Sequence, residues 1–220
     1  MPRLLVTLLA VLAVAPATAG AAVVEISVLP ADGADFGETQ SVAGRLTGPY
    51  GAPVVGQKVV LEARRYPFRG SFSGPGTATT GLDGRFAFER AFDRNHQVRV
   101  LAPAFGDRSA VQPVYVFPRS NLTFRLVRRN VIRLTQVYAT PRDVRLTKPT
   151  LFYVGRRGTG TAPLAARART RRIRRGHFIA RALVRIPQAW HGRFRYASCF
   201  PYNAGMGDPK IGCPSKQYRF

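Results

Sequence analysis

Acidic residues are almost absent from the second half of this chain. Residues 119–220 contain 23 Arg and Lys but only two acids, Asp143 and Asp208, which gives this half a formal charge of +21. Residues 20–118 are nearly neutral, with ten basic and nine acidic side chains. Such an asymmetry predicts two domains with different roles, of which the basic one attracts polyanions or anionic surfaces.

The shortage of acids also argues against catalysis. General acid/base chemistry by paired carboxylates needs two neighbouring acids with separated pKa values, and Asp143 and Asp208 are far apart in sequence. No nucleophile-elbow motif accompanies the residues that could form a catalytic triad. Those residues are Ser198, His177 or His191, and Asp208. We therefore expect no enzyme activity and no cofactor.

The chain also lacks long hydrophobic runs. It begins with one positive residue, Arg3, continues with a mainly apolar stretch over residues 4–14, and then reaches the small residues Ala17 and Ala19. This order predicts a cleaved secretory signal peptide over residues 1–19. A membrane-spanning helix needs ~20 apolar residues, so we expect a secreted or cell-envelope protein without a membrane span.

Cysteine is scarce, with only Cys199 and Cys213 in the chain. In an oxidising compartment an isolated pair at this spacing predicts a disulfide. Closing a loop of about 15 residues stabilises a fold by ~3 kcal/mol in the chain-entropy model. A zinc site would need two further ligands, and no His lies between the cysteines. The sequence therefore predicts a disulfide and no metal.

Helical periodicity is missing as well, because no segment sustains a 3.6-residue apolar repeat with caps. Short segments of alternating apolar residues predict six or seven strands in the first half, which is typical of a β-sandwich. The Asp83-Gly84 pair between strand-like residues predicts a β-hairpin. In the second half, residues 165–173 and 177–186 predict two strands around a turn at residues 174–176.

The two halves carry these segments in the same order, which predicts a tandem repeat. We therefore expect an all-β fold of two tandem Ig-like β-sandwich domains after the signal peptide. Residues 20–118 would form the neutral domain, and residues 119–220 would form the basic domain with its disulfide.

Four stretches of the first half share a pattern with a known family. These are residues 42–46 (VAGRL), 53–61 (PVVGQKVVL), 79–88 (TTGLDGRFAF) and 97–100 (QVRV).

Through these stretches, residues 41–117 resemble the bacterial extracellular Ig-like and carboxypeptidase-regulatory-like (prealbumin-like) β-sandwich repeats. The resemblance covers about a third of the chain. It implies a structural module that serves as a spacer, a stalk, or an adhesion or carbohydrate-contact unit. The second half is similar to a divergent member, with Arg175-Gly176 in place of the Asp-Gly turn.

Arginine is abundant where acids are scarce. At strand periodicity Arg167, Arg169 and Arg171 point to one face, and the next arginines crowd the following turn. The planar guanidinium binds phosphate, sulfate and carboxylate through two parallel donors. A solvated face in an arginine-rich chain is the alternative explanation. The predicted polyanion-binding residues are Arg167, Arg169, Arg171, Arg172, Arg174, Arg175, Arg193 and Arg195.

We expect the partner to be an anionic polymer or surface, such as a wall polymer, an acidic polysaccharide or anionic lipid headgroups. Nucleic acid is a second candidate because aromatic side chains can stack on bases. Most of the aromatic residues occupy strand positions, however, where core packing is the favoured explanation. These residues are Tyr138, Phe152, Tyr153, Phe178, Trp190, Tyr196 and Phe200.

Two other functions stay open. One is a structural or protein-interaction module that has no polyanion ligand. The other is a secreted hydrolase.

Overall fold

The structure is a computed structural model of the chain. The predicted signal peptide and His191 lie outside the residues that it describes. The described residues are 22–28, 33–190, 192–203, 205–210, 213 and 217–219.

Strands β1 to β10 belong to the first half. Strand β3 pairs with β1 and β6 in one antiparallel sheet, and the other sheet has the order β5-β4-β7-β8, with β9 also paired to β7. Strands β2 and β10 form a short parallel pair, and a 3-10 turn covers Pro49–Gly51. The bounds are β1 Val23–Val28, β2 Ala34–Asp35, β3 Thr39–Thr47, β4 Lys58–Arg65, β5 Ser73–Thr79, β6 Arg85–Ala91, β7 His96–Ala102, β8 Asp107–Arg108, β9 Gln112–Val114 and β10 Val116–Phe117.

Strands β11 to β18 belong to the second half and form two antiparallel sheets. One sheet has the order β11-β12-β16-β15, and the other has the order β17-β13-β14-β18. A second 3-10 turn covers Gln188–Trp190. The bounds are β11 Arg119–Arg128, β12 Val131–Ala139, β13 Thr150–Arg156, β14 Thr161–Ala168, β15 Arg171–Arg174, β16 His177–Arg185, β17 Phe194–Cys199 and β18 Gln217–Arg219.

The same strand order occurs in both halves. In the first half β3 is central between β1 and β6, and β4 is central between β5 and β7. In the second half β12 lies between β11 and β16, and β13 lies between β14 and β17. The prediction of an all-β sandwich fold is therefore confirmed. The division into two domains at residue 118 stays a prediction.

Alternation of apolar side chains builds the cores, because successive strand residues point to opposite faces. In β3 and β4 every second side chain is buried, including Leu46 and Leu61. In the second half Ile132 and Leu134 of β12 face Phe152 of β13. Burying one such side chain stabilises the fold by ~1.5–3 kcal/mol.

Strand β13 is buried on both faces. Phe152 and Val154 point into the sandwich, whereas Leu151 and Tyr153 point outward. The outward pair packs in an apolar cluster with Ala162, Leu164 and Ala197 and with Cys199 and Cys213, which form a disulfide. The predicted disulfide is confirmed.

Two strand predictions were wrong. The Asp83-Gly84 turn does not close a hairpin, because β5 pairs with β4 and β6 pairs with β3 in the opposite sheet. The turn residues specify only a local reversal, in which the Gly81 N–H donates to the Arg85 carbonyl oxygen. Similarly, residues 165–173 are not one strand, because the chain leaves one sheet after Ala168 and enters the other at Arg171.

A buried junction connects the two halves. The Asn95 side chain donates to the Gly207 carbonyl oxygen (2.7 Å) and accepts from the Val116 N–H (2.9 Å). Its backbone N–H donates to the Gly205 carbonyl oxygen at 2.8 Å. The first-half core also includes Met206 from the second half. The basic half is therefore held against the neutral half by both hydrogen bonds and apolar packing.

One ion-pair cluster spans the same junction. The Asp143 carboxylate accepts from the guanidinium groups of Arg94 (2.6 Å) and Arg65 (3.2 Å). Desolvation opposes ionisation of Asp143, but the charge and hydrogen bond of Arg94 hold the pKa of that carboxyl below its usual value. The acid is therefore ionised at neutral pH and engaged by the first half.

No helix among the described residues is both long enough and apolar enough to cross a bilayer.

We expect Asn95→Ala to lower the free energy of unfolding by about 2–4 kcal/mol, because two buried backbone groups lose their partner. Urea denaturation followed by circular dichroism measures the change. Asn121→Ala, at an exposed position of β11, is the control and should change stability by less than ~0.5 kcal/mol. Equal effects of the two substitutions would contradict a junction that depends on Asn95.

Candidate anion-binding site

Alanine and arginine alternate where the second-half sheets meet. The sequence Ala166-Arg167-Ala168-Arg169 leads out of β14, and Arg181-Ala182 lies in β16. The small alanine side chains leave a hollow of about 540 Å³, and the longer arginines border it. We call this hollow the arginine groove. Its arginines are Arg167, Arg169, Arg171 and Arg181.

A buried chain of hydroxyl groups fixes the crossover between β14 and β15. Thr170, which lies between two groove arginines, donates to the Lys148 carbonyl oxygen at 3.0 Å. Its oxygen is 3.1 Å from the Thr150 hydroxyl, which is 2.9 Å from the Tyr138 hydroxyl. Because each hydroxyl carries one proton, Thr150 donates to Thr170 and Tyr138 donates to Thr150.

Burial raises the pKa of Tyr138 to about 12, and the hydrogen bond with Thr150 only partly opposes this rise. The phenol is therefore protonated at neutral pH and can donate to Thr150. This fixed chain turns Thr170 inward and leaves Arg169 and Arg171 exposed on either side of it.

No carboxylate of the described residues pairs with the groove arginines. Asp143, in the second half, is engaged by Arg65 and Arg94. The Asp208 carboxylate accepts from the Lys210 backbone N–H instead. Further ion pairs between described residues lie within the first half, and their carboxylates belong to Glu62, Asp83 and Asp93.

A second basic cluster lies at the β15–β16 turn. Its side chains border a hollow of about 480 Å³ together with Asp143. We call it the turn cluster. Its arginines are Arg142, Arg145, Arg172 and Arg175.

The eight arginines predicted to bind a polyanion are therefore not all in one site. Arg167, Arg169 and Arg171 lie together in the arginine groove, and Arg172 and Arg175 belong to the turn cluster.

Three predicted residues line neither hollow. Arg174 donates to the His177 imidazole at 3.3 Å. Arg193 and Arg195 lie before and within β17. Strand β17 is separated from β14 by β13, a distance of ~10 Å at ordinary strand spacing.

Arg181 was not among the predicted binding residues. The β15–β16 register pairs Arg171 with Ile179, and Arg181 lies two residues further on the same face. Arg181 is ten residues away from Arg171 in sequence, so spacing alone did not group the two. The register of the hairpin predicted around residues 174–176 is the signal that could have identified Arg181.

The aromatic residues proposed for base stacking are mostly buried. Tyr138, Phe152, Tyr153 and Phe178 are at most 3% exposed. They pack in the cores, as strand position indicated. Tyr196 is partly exposed.

The candidate catalytic residues are not assembled among the described residues. The Ser198 hydroxyl donates to the Gln136 side-chain oxygen rather than to a histidine. The His177 ring contacts Arg174 and the Arg175 carbonyl oxygen. Within the described ranges, no group of His, Cys, Asp and Glu side chains is arranged to hold a metal ion.

We expect Thr170→Val to destabilise the protein by about 1–3 kcal/mol, because the substitution keeps the side-chain shape but interrupts the hydroxyl chain. Chemical denaturation measures the loss. Thr39→Val, at an exposed position of β3, is the matched control. An unchanged stability for Thr170→Val would show that the crossover does not depend on this chain.

No protein-family model matches the chain, and no curated protein does. Among solved structures, the chain is similar to trypsin-activated alpha-2-macroglobulin from Escherichia coli (13% identity, TM-score 0.33, covering 87% of this chain and 14% of that one). It is also similar to Salmonella alpha-2-macroglobulin reacted with methylamine (15% identity, TM-score 0.35, 87% and 13%). The Yersinia pseudotuberculosis adhesin InvE matches at 14% identity and TM-score 0.33, with 85% and 56% covered. The chain thus spans a small part of the macroglobulins and about half of the adhesin, and similarities this weak carry no inference about function.

Proposed function

We propose that the protein is a non-catalytic β-sandwich protein whose second half binds anionic polymers in the arginine groove. The observation that carries this proposal is the convergence of four arginines on one hollow that has no carboxylate in its lining. Guanidinium groups held this way repel one another, and a bound anion relieves the repulsion. Each group can also donate two parallel hydrogen bonds to a phosphate, sulfate or carboxylate.

A polymer fits this arrangement better than a single small anion. The turn cluster is a second basic site on the same half. Arg171 of the arginine groove and Arg172 of the turn cluster follow one another in β15, an edge strand, and point to its opposite faces. One chain that carries repeated charges can occupy both sites by passing around this sheet edge, so that the second contact becomes intramolecular. Binding would release counterions and would weaken steeply with salt.

The predicted leader and the disulfide support a site of action outside the cytosol. A disulfide persists in an oxidising compartment, and a secretory leader would deliver the chain there. We therefore place the polyanion partner outside the cytosol. A wall polymer, an acidic polysaccharide and anionic headgroups share the same charge chemistry, and the experiment below separates them.

The alternative is a structural or protein-interaction module with no polyanion ligand. It is favoured by the many arginines outside the groove, because a composition bias would scatter arginine over the whole surface.

Replacing all four groove arginines with glutamine tests the proposal. We expect R167Q/R169Q/R171Q/R181Q to raise the Kd for a sulfated oligosaccharide about 100-fold, because charged hydrogen bonds are lost. The slope of log K against log salt should become shallower by about three, at ~0.7 per lost contact. Titration calorimetry at several salt concentrations measures both quantities, and polyphosphate and anionic vesicles are the parallel probes.

The matched control removes the same charge elsewhere in the second half, through R125Q/R128Q/R129Q/R185Q. This variant should lose only a few-fold in affinity. If both variants lose equally, net charge alone binds the polymer and the groove has no special role. If the wild-type protein binds none of the probes at low salt, the structural alternative is correct.

A further inference from the structure

A group of aromatic side chains is partly exposed on the side of the second half formed by β11 and β17. The Phe124 ring of β11 lies 5.5 Å from the Phe194 ring and 5.1 Å from the Tyr196 ring, measured between centroids. Phe194 and Tyr196 of β17 are themselves 6.3 Å apart. We call these three rings the aromatic platform.

The platform exists because two edge strands leave the sandwich open. Strand β11 is at the end of one sheet and β17 is at the end of the other. Phe124 pairs in register with Leu134, whose side chain is buried, so the Phe124 ring points toward the interior side. No further strand of the described residues covers this ring, and it stays 48% exposed.

Two basic residues border the β17 side of the platform. Phe194 and Tyr196 line a surface hollow of about 510 Å³ together with Arg157 and Arg195. The backbone N–H of Arg157 donates to the Arg193 carbonyl oxygen at 2.7 Å, which holds the loop after β13 beside β17. Two aromatic residues and two arginines therefore line the same hollow.

We propose that the aromatic platform binds a hexuronate ring of an acidic polysaccharide, and that Arg157 binds the carboxylate of the same ring. This inference rests on the proposed function and narrows its partner to a polyanion built from sugar rings. The C–H groups on one face of a pyranose are positively polarised and are attracted to the negative face of an aromatic ring. The carboxylate on that ring matches the two-pronged donors of arginine.

The proposed location of the partner outside the cytosol favours a sugar over a nucleobase. Phe124 meets Phe194 at an interplanar angle of 83° and Tyr196 at 58°. No two of these three rings are parallel, so a ligand ring can stack on only one aromatic face at a time. A pyranose and a nucleobase can both bind one face in this way, so an oligonucleotide is included as a competing probe.

Removing the aromatic faces while keeping apolar volume tests the inference. In the full chain, we expect F124L/Y196L to weaken binding of a galacturonate oligomer about tenfold, which corresponds to ~1.4 kcal/mol. Binding of polyphosphate, which has no rings, should change less than about twofold. F105L is the matched control, because Phe105 is a similarly exposed phenylalanine (45%) in the first half.

The following outcomes would overturn the inference about the aromatic platform. An unchanged galacturonate affinity, or equal losses for galacturonate and polyphosphate, would show that the platform only packs against its neighbours. A larger loss for a single-stranded oligonucleotide than for galacturonate would assign the platform to nucleic acid. If the platform has no role, the wild type still binds polyphosphate and the proposed function stands. If the wild type binds no polyanion, both proposals fail.

Discussion

Repulsion among uncompensated guanidinium groups is the constraint on which the second half of this structure depends. Residues 119–220 carry +21, and Asp143 is engaged by two arginines of the first half. Such self-repulsion opposes compactness, so apolar packing and covalent closure must offset it. Strand β13, which is buried on both faces, supplies the packing. The disulfide between Cys199 and Cys213 closes the chain and is part of the apolar cluster on the outward face of β13.

The positions of the groove arginines depend on buried hydrogen bonds. The buried hydroxyl chain ends at Thr170 and turns the flanking arginines outward beside the alanines of β14 and β16. The junction at Asn95 then sets the basic half against the neutral half. The groove arginines are exposed, so ordering them on binding costs entropy, which the charged hydrogen bonds to the anion must offset.

Local patterns predicted local structure well. Period-two alternation identified the main strands, and the spacing of two isolated cysteines identified the disulfide. Pairing was less predictable, because the Asp83-Gly84 turn specifies a chain reversal but not the sheet that each flanking strand joins. The break at Thr170 depends on hydroxyl partners about 20 and 30 residues earlier, at Thr150 and Tyr138, which periodicity cannot show. Periodicity also could not identify Arg181 as a groove residue, because its position beside Arg171 depends on the register between β15 and β16.

The most direct test of the account is an arginine footprint of the full chain. Phenylglyoxal modification, read by peptide mass spectrometry with and without a bound acidic polysaccharide, reports which guanidinium groups the polymer covers. The account predicts strong protection at Arg167, Arg169, Arg171 and Arg181, and little change at the exposed Arg128 and Arg129. Protection spread evenly over all exposed arginines, or absent from the groove, would contradict it.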